Sequence, residues 1–202
     1  MPRLSAQDER ESSTLAFPVA FFLPETRWGF GLAGAHTFYL NAEDSISPPS
    51  QVQLVSAYTQ NKQFLCYLPF NLFWDNRRWQ ATGELGWHRY SYNFYGIGND
   101  VDLSFVESYL IDFPRFRLHV INKVSDSWYV GGRCWADYFT IENNQLDADG
   151  LLVGESIAGS EGGAVMGVGL SIARDTRDDV YSTTQGGFAE FVIQDHSRFW
   201  LG

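Results

Sequence analysis

The chain has 202 residues, 45% hydrophobic and 16% aromatic, with 14 basic against 24 acidic side chains and a formal net charge of −10. That length fits one domain or one piece of a larger one, and so aromatic a chain is not a disordered one. A pI near 4.7 excludes the basic stripe that nucleic-acid phosphates require, and no apolar run approaches the roughly 18 residues of a spanning helix, which leaves spanning strands open.

In chain order, Met1 to Ser13 is polar and charged (Asp8, Glu9, Arg10, Glu11) and lacks the apolar run and small-residue cleavage site of a secretory leader. Residues 1–15 are therefore expected to be a disordered leader and 16–202 one β segment. Read alone, this start points to the cytoplasm. Strands follow at Phe17–Leu23 and Trp28–Leu40, joined at Pro24-Glu25-Thr26, and then at Gln51–Gln60. In Phe64–Trp74 one side reads Phe64, Cys66, Leu68, Phe70, Leu72, Trp74, and the other carries Tyr67 and Asn71. In Trp79–Tyr90, Trp79, Ala81, Gly83, Leu85 and Trp87 alternate with Gln80, Thr82, Glu84, Gly86, His88 and Tyr90. Such period-two patterning is the signal of a half-buried strand.

Phe105–Ile121 changes phase near Pro114, where a bulge is expected. Trp128–Tyr138 sets Val130, Cys134 and Ala136 against Tyr129, Arg133, Trp135 and Asp137. Ala164–Ile172 and a strand starting near Phe188 complete about nine strands in meander order. Asn61-Lys62, Asp75 to Arg78 and Asn122 to Asp126 are short turns. Longer loops are expected at Asn41–Ser50, Tyr92–Ser104 and Ile141–Gly162.

Strand length and the character of each face decide between a soluble β-domain and a membrane barrel. Trp79 to Trp87 covers roughly 26 Å of strand, or roughly 20 Å of height at a tilt of about 40°. That height approaches an outward apolar band, with indoles at both edges where an amphipathic ring suits an interface. Phe64, Leu68, Phe70, Leu72, Trp79, Leu85 and Trp87 are therefore read as lipid-facing. The alternate residues Gln80, Glu84, His88, Arg133 and Asp137 are read as lumen-facing, the inverse of a soluble core.

Three motifs carry a resemblance. Asp175-Thr176-Arg177-Asp178-Asp179, followed by Gly186, resembles the D-T-R-D-N…P-x-x-G turn of the bacterial surface antigen family, the BamA/TamA-like outer-membrane β-barrel proteins. Leu23 to Gly31 is similar to the family's P-E-T-G-x-G-F-G opening, and Phe94 to Asp100, with Gly96, Gly98 and Asn99, to its F-F-G-I-G-N loop. The order and spacing match over nearly the whole chain. Thr183 stands where the family has proline, and Asp179 where it has asparagine. The V-R-G-F motif and the periplasmic POTRA domains have no counterpart.

The resemblance implies an incomplete transmembrane barrel, the first part of sixteen strands, in the bacterial outer membrane. Its implied partners are outer-membrane lipid, the remaining strands of the barrel and client outer-membrane proteins. The chain is then expected to be a fragment or to carry a misassigned start. The implied role is protein assembly or translocation, or an orphan pore. The alternative is a soluble β-barrel or sandwich binding a lipid or sugar. In the turn, Asp175 and Asp178 are expected to accept backbone N–H groups, Arg177 to pair with a carboxylate, and Gly186 to take a positive φ.

Chemistry is not legible elsewhere. Glu84 and His88 are conceivable as a dyad but lack a serine nucleophile motif, and His36, His119 and His196 are scattered. Gln145 and Ser156 break the calcium-loop pattern around Asp147-Ala148-Asp149-Gly150. Arg115, Arg117 and His119 on one face suggest lumen lining, with a preference for anions in a pore as the lesser reading. Cys66 and Cys134 are expected to act as small apolar residues. No catalytic residue, metal ligand or cofactor is assigned.

Overall fold

A computed structural model of the chain describes residues 11–24, 26–99, 106–143 and 159–196. These residues form nine strands: β1 (Ser13–Leu23), β2 (Arg27–Phe38), β3 (Ser50–Thr59), β4 (Phe64–Trp74), β5 (Trp79–Phe94), β6 (Glu107–Lys123), β7 (Trp128–Asn143), β8 (Gly162–Asp175) and β9 (Phe188–Asp195). They pair in chain order as one open antiparallel sheet, with β1 and β9 at its edges. Among the described residues there is no helix. The sheet is thus the nine-strand meander that alternation predicts. The calcium-like segment 147–150, Asp100 and the leader up to residue 10 lie outside the described residues.

Two expectations are corrected. The loops expected from Tyr92 and from Ile141 start later, because β5 continues to Phe94 opposite Glu107 and β7 continues to Asn143 opposite Tyr109. Pro114 does not sit in a bulge. It pairs with Trp87 on β5, and toward β7 the ladder passes from Asp112↔Thr140 to Arg115↔Asp137 without a shift of register. A proline has no N–H to donate, so the ladder is interrupted there without the extra residue a bulge needs.

Register assigns every side chain to one of two faces, because alternation across each ladder keeps opposed residues on the same side. On the first face, Asn71, Thr82, His119, Arg133 and Gly169 follow one another across β4 to β8, and Gln194 continues the row on β9. On the second, Leu68, Leu85, Phe116, Ala136 and Met166 do so. The buried apolar cluster of Ile121, Tyr129 and Ala173 belongs to the first face, at the end of the sheet where β8 passes into β9.

The sheet curls toward that first face. Three ladder steps separate β5 from β8, roughly 14 Å on a flat sheet, yet Arg77 beside β5 bonds Asp175 at the end of β8 with an N–O distance of 2.9 Å. From the same end, the hydroxyl of Tyr181 donates to the carbonyl of Pro49 ahead of β3 at 2.9 Å. The connection after β8 therefore folds back across the mouth of the concave face.

Candidate functional site

The first face carries a connected group of charges. Glu84 accepts the Tyr67 hydroxyl at 2.9 Å and lies 3.5 Å from Arg115 and 3.3 Å from Arg117. Those two guanidinium groups reach Asp137 at 3.2 and 3.4 Å, and the Asp137 side chain is only 3% exposed. Next to them, Glu190 meets Arg133 and His119, both at 3.2 Å. Arg117 also stacks on Trp135, its Cζ 3.4 Å from the ring centroid, which screens one side of the guanidinium from water.

The five residues read from sequence as lumen-facing, Gln80, Glu84, His88, Arg133 and Asp137, all lie on this face, but the structure does not bring all of them together. Glu84 and Asp137 share the arginine pair. Gln80 donates to Asn71 at 3.3 Å. His88 stacks on Phe113 with ring centroids 4.8 Å apart, and its Nε2 has no hydrogen-bond partner. Glu84 is occupied by Tyr67 and the arginines, so the geometry makes no Glu84–His88 dyad.

Arg115, Arg117 and Arg133 are matched by Glu84, Asp137 and Glu190, each guanidinium with a carboxylate within 3.5 Å. These three arginines thus face three carboxylates. Glu190 was missed in the sequence because β9 is short and its alternation begins only at Phe188.

Ser171 and Glu190 both approach His119, with Ser171 Oγ at 2.8 Å and Glu190 at 3.2 Å. Both contacts fall on the same ring nitrogen, Nε2. A Ser–His–acid relay needs the hydroxyl on one nitrogen and the carboxylate on the other, so this trio cannot pass a proton from serine to acid. Among the described residues no group of three or more His, Cys, Asp or Glu side chains could hold a metal ion.

The charges border two clefts. One of about 340 Å³ is lined by Thr82, Glu84, Arg117, His119, Arg133 and Trp135. A second of about 290 Å³ lies under the β8–β9 connection, among Asn71, Gln80, Thr82, Arg177, Val180 and Phe188.

The second face is the opposite in kind. Phe64, Leu68, Phe70, Leu72, Trp79, Leu85 and Trp87, the set read as lipid-facing, lie on it together. Far beyond this set, Phe30, Tyr58, Leu170 and Phe191 are each 56% or more exposed. Nothing among the described residues covers them. Trp74 and Trp79 stack in parallel at one border, centroids 6.1 Å apart. At the other, the Trp87 indole donates to Asp112 at 2.6 Å, and Arg89 pairs with Asp112 and Glu142. Charge thus returns to this face immediately past the upper indole. Cys66 and Cys134 are free thiols on it, on β4 and β7.

The turn after β8 is organised by its aspartates. Asp175 accepts from Arg177 Nε and Nη2 at 2.9 and 2.8 Å, from the Arg177 backbone at 3.1 Å and from Arg77. Asp178 accepts the backbone N–H groups of Asp179, Thr184 and Gln185 and the Thr184 hydroxyl; these bonds, led by that of Thr184, hold its carboxyl well below the usual carboxylate range. Thr183 donates from its hydroxyl to Asp179 O at 2.8 Å, a closure of the turn that a proline there could not make. Gly186 has φ of +87°, and a Cβ would stand 1.9 Å from the Thr176 carbonyl oxygen. Gly96 and Gly98 also take positive φ, and Asn99 beside them is exposed.

Opposite this turn, the loop between β2 and β3 holds a second cluster. Asp44 accepts from the Ser47 hydroxyl at 2.5 Å and from the backbone of Ser47, Ile46 and, across a chain separation of 32 residues, Asn76. Burial acts to raise the Asp44 carboxyl, but the donors around it prevail and hold it at about 2. The serine in an Asp44-Ser45-Ile46-Ser47 string is the signal that could have found it, since an acid accepting from residues two and three ahead is an Asx-type turn.

Comparison with models of known families, with curated proteins and with solved structures gives no match for this chain.

Proposed function

We propose that this chain is a segment of a bacterial outer-membrane β-barrel of the surface antigen type, serving outer-membrane protein assembly or translocation or forming a pore. The observation that carries the reading is the inversion of the two faces. Side chains exposed in breadth are aliphatic and aromatic, while the sheltered face holds ion pairs. A water-soluble sheet has the reverse arrangement, and an exposed apolar area of this extent marks a surface that meets lipid or protein. Indoles at both borders, with Arg89 and Asp112 just outside one of them, support a band of finite height. The three motifs resembling the surface antigen family add to this reading.

In this proposal the unpaired edges of β1 and β9 are closed by further strands, because open backbone edges are costly in hydrocarbon. The test is insertion. Leu85→Arg, at mid-height of the apolar band, is expected to weaken folding into bilayers by about 2–4 kcal/mol, and Gln53→Arg on the polar face by less than about 1 kcal/mol. A chain that stays soluble and monomeric without detergent, and that tolerates both substitutions equally, overturns the reading in favour of a soluble binding module.

A further inference from the structure

The connection between β8 and β9, residues 176–187, is closed on itself by hydrogen bonds. Inside it, Asp178 and Asp179 accept five backbone N–H groups between them, from Asp179, Thr184, Gln185, Tyr181 and Ser182. At its base, Thr176 and Gly187 bond one another, the Thr176 N–H donating to Gly187 O at 2.9 Å and the Gly187 N–H to the Thr176 hydroxyl at 3.0 Å. Asp175 just before it is anchored by Arg77 and Arg177. The tip is held differently. The Tyr181 hydroxyl donates to Pro49 O at 2.9 Å, and its ring meets Phe73 edge-on at 6.3 Å. Between base and tip, Val180 and Arg177 line the cleft above Thr82, Gln80 and Asn71.

We propose that residues 176–187 form a latched flap over the polar cleft, stiff within itself, hinged at Asp175 and Gly187, and held shut by Tyr181 on Pro49 and Phe73. The backbone N–H groups held by Asp178 and Asp179 stay bonded when this body swings away from the sheet, and Arg177 keeps its bond to Asp175 at the hinge. The latch is one phenolic hydroxyl and one ring contact, so the closed and open positions differ by little energy, and entry to the cleft from this end is set by Tyr181. The inference goes beyond the membrane reading and does not depend on it, because every contact in it lies on the concave side.

The experiment places a reporter thiol under the flap. In the full chain carrying Cys66→Ala and Cys134→Ala, Gln80→Cys, which lines the cleft under the flap and not the neighbouring one, is labelled with a cationic methanethiosulfonate reagent, with Ala57→Cys, buried on the same face near the far end of β3, as a separate control. Tyr181→Phe removes only the hydroxyl and is expected to raise the Gln80→Cys labelling rate about threefold to tenfold, the range of one net hydrogen bond. Tyr181→Ala, which also removes the ring, is expected to raise it further, with Ala57→Cys unchanged in both. An unchanged Gln80→Cys rate overturns the flap, and so does an equal rise at Ala57→Cys, which reports loosening of the whole sheet. The measurement needs a folded chain in detergent or in buffer, so its failure is distinct from failure of the membrane reading.

Discussion

Asp44 shows how much one side chain can organise at the end of a sheet. Its carboxylate gathers the 39–49 loop and also takes the N–H of Asn76, tying that loop to the β4–β5 turn, while Ser47 accepts from the Arg77 backbone at 2.6 Å. A carboxyl lowered from 3.8 to about 2 contributes stability that is complete above its ordinary value and disappears as pH falls through the folded one. Asp44→Asn is therefore expected to destabilise the chain by about 1–2 kcal/mol at neutral pH, as loss of charged hydrogen bonds does. Denaturant midpoints of the two proteins should then converge as pH drops from about 4 toward about 2. A gap that persists at the acid end would show that the asparagine is disruptive in itself. Gly186 is constrained in another way, since both its φ and the nearness of Thr176 O exclude a side chain.

At the scale of strands, the ion pairs on β5, β6 and β7 form because register opposes them. Glu84 stands across from Arg117, and Arg115 across from Asp137, so each acid meets its own partner and the neighbouring arginine diagonally. Asp137 is the most enclosed member. Removing it leaves two arginines with one carboxylate between them, and Asp137→Ala is expected to cost about 3 kcal/mol, measured by urea unfolding in micelles. Because the groups act as a unit, Arg115→Ala combined with Asp137→Ala should cost less than the two separately, by about 0.5 kcal/mol or more. Additive losses would mean that these contacts do not couple. The alternation that placed Glu84, Arg133 and Asp137 on one face was legible residue by residue, because strand period alone sets the side. Their partners were not. Glu190 is 57 positions from Arg133 in the chain, and only pairing of β7 with β8 and β8 with β9 brings them within 3.2 Å.

For the whole molecule the open sheet sets a gradient of stability. β5, β6 and β7 are each 16 residues or longer and paired on both sides, whereas β1 and β9 are paired on one side only. β1 exposes Leu15 and Phe17 on the concave face and Phe22 on the other, so it is apolar on both sides. Amide exchange of the chain in micelles should be fastest in β1 and β9 and slowest across the centre of β5 to β7. Protection of the two edge strands equal to that of the centre would mean that they are paired with other strands or with a second copy.

The residues alone determined that this protein is a meander of long antiparallel strands with a greasy side and a charged side, because pleating converts a period of two into two faces whatever the surroundings. They also determined the turns, where aspartate, asparagine and glycine supply local acceptors and positive φ. Tertiary structure decided what lies beyond the reach of local rules. Curvature carries Arg77 to Asp175 and Tyr181 to Pro49, register continues through Pro114 without a bulge, and pairing neutralises three arginines that look unopposed in the sequence. Each of these depends on distances between residues far apart along the chain, which periodicity cannot encode.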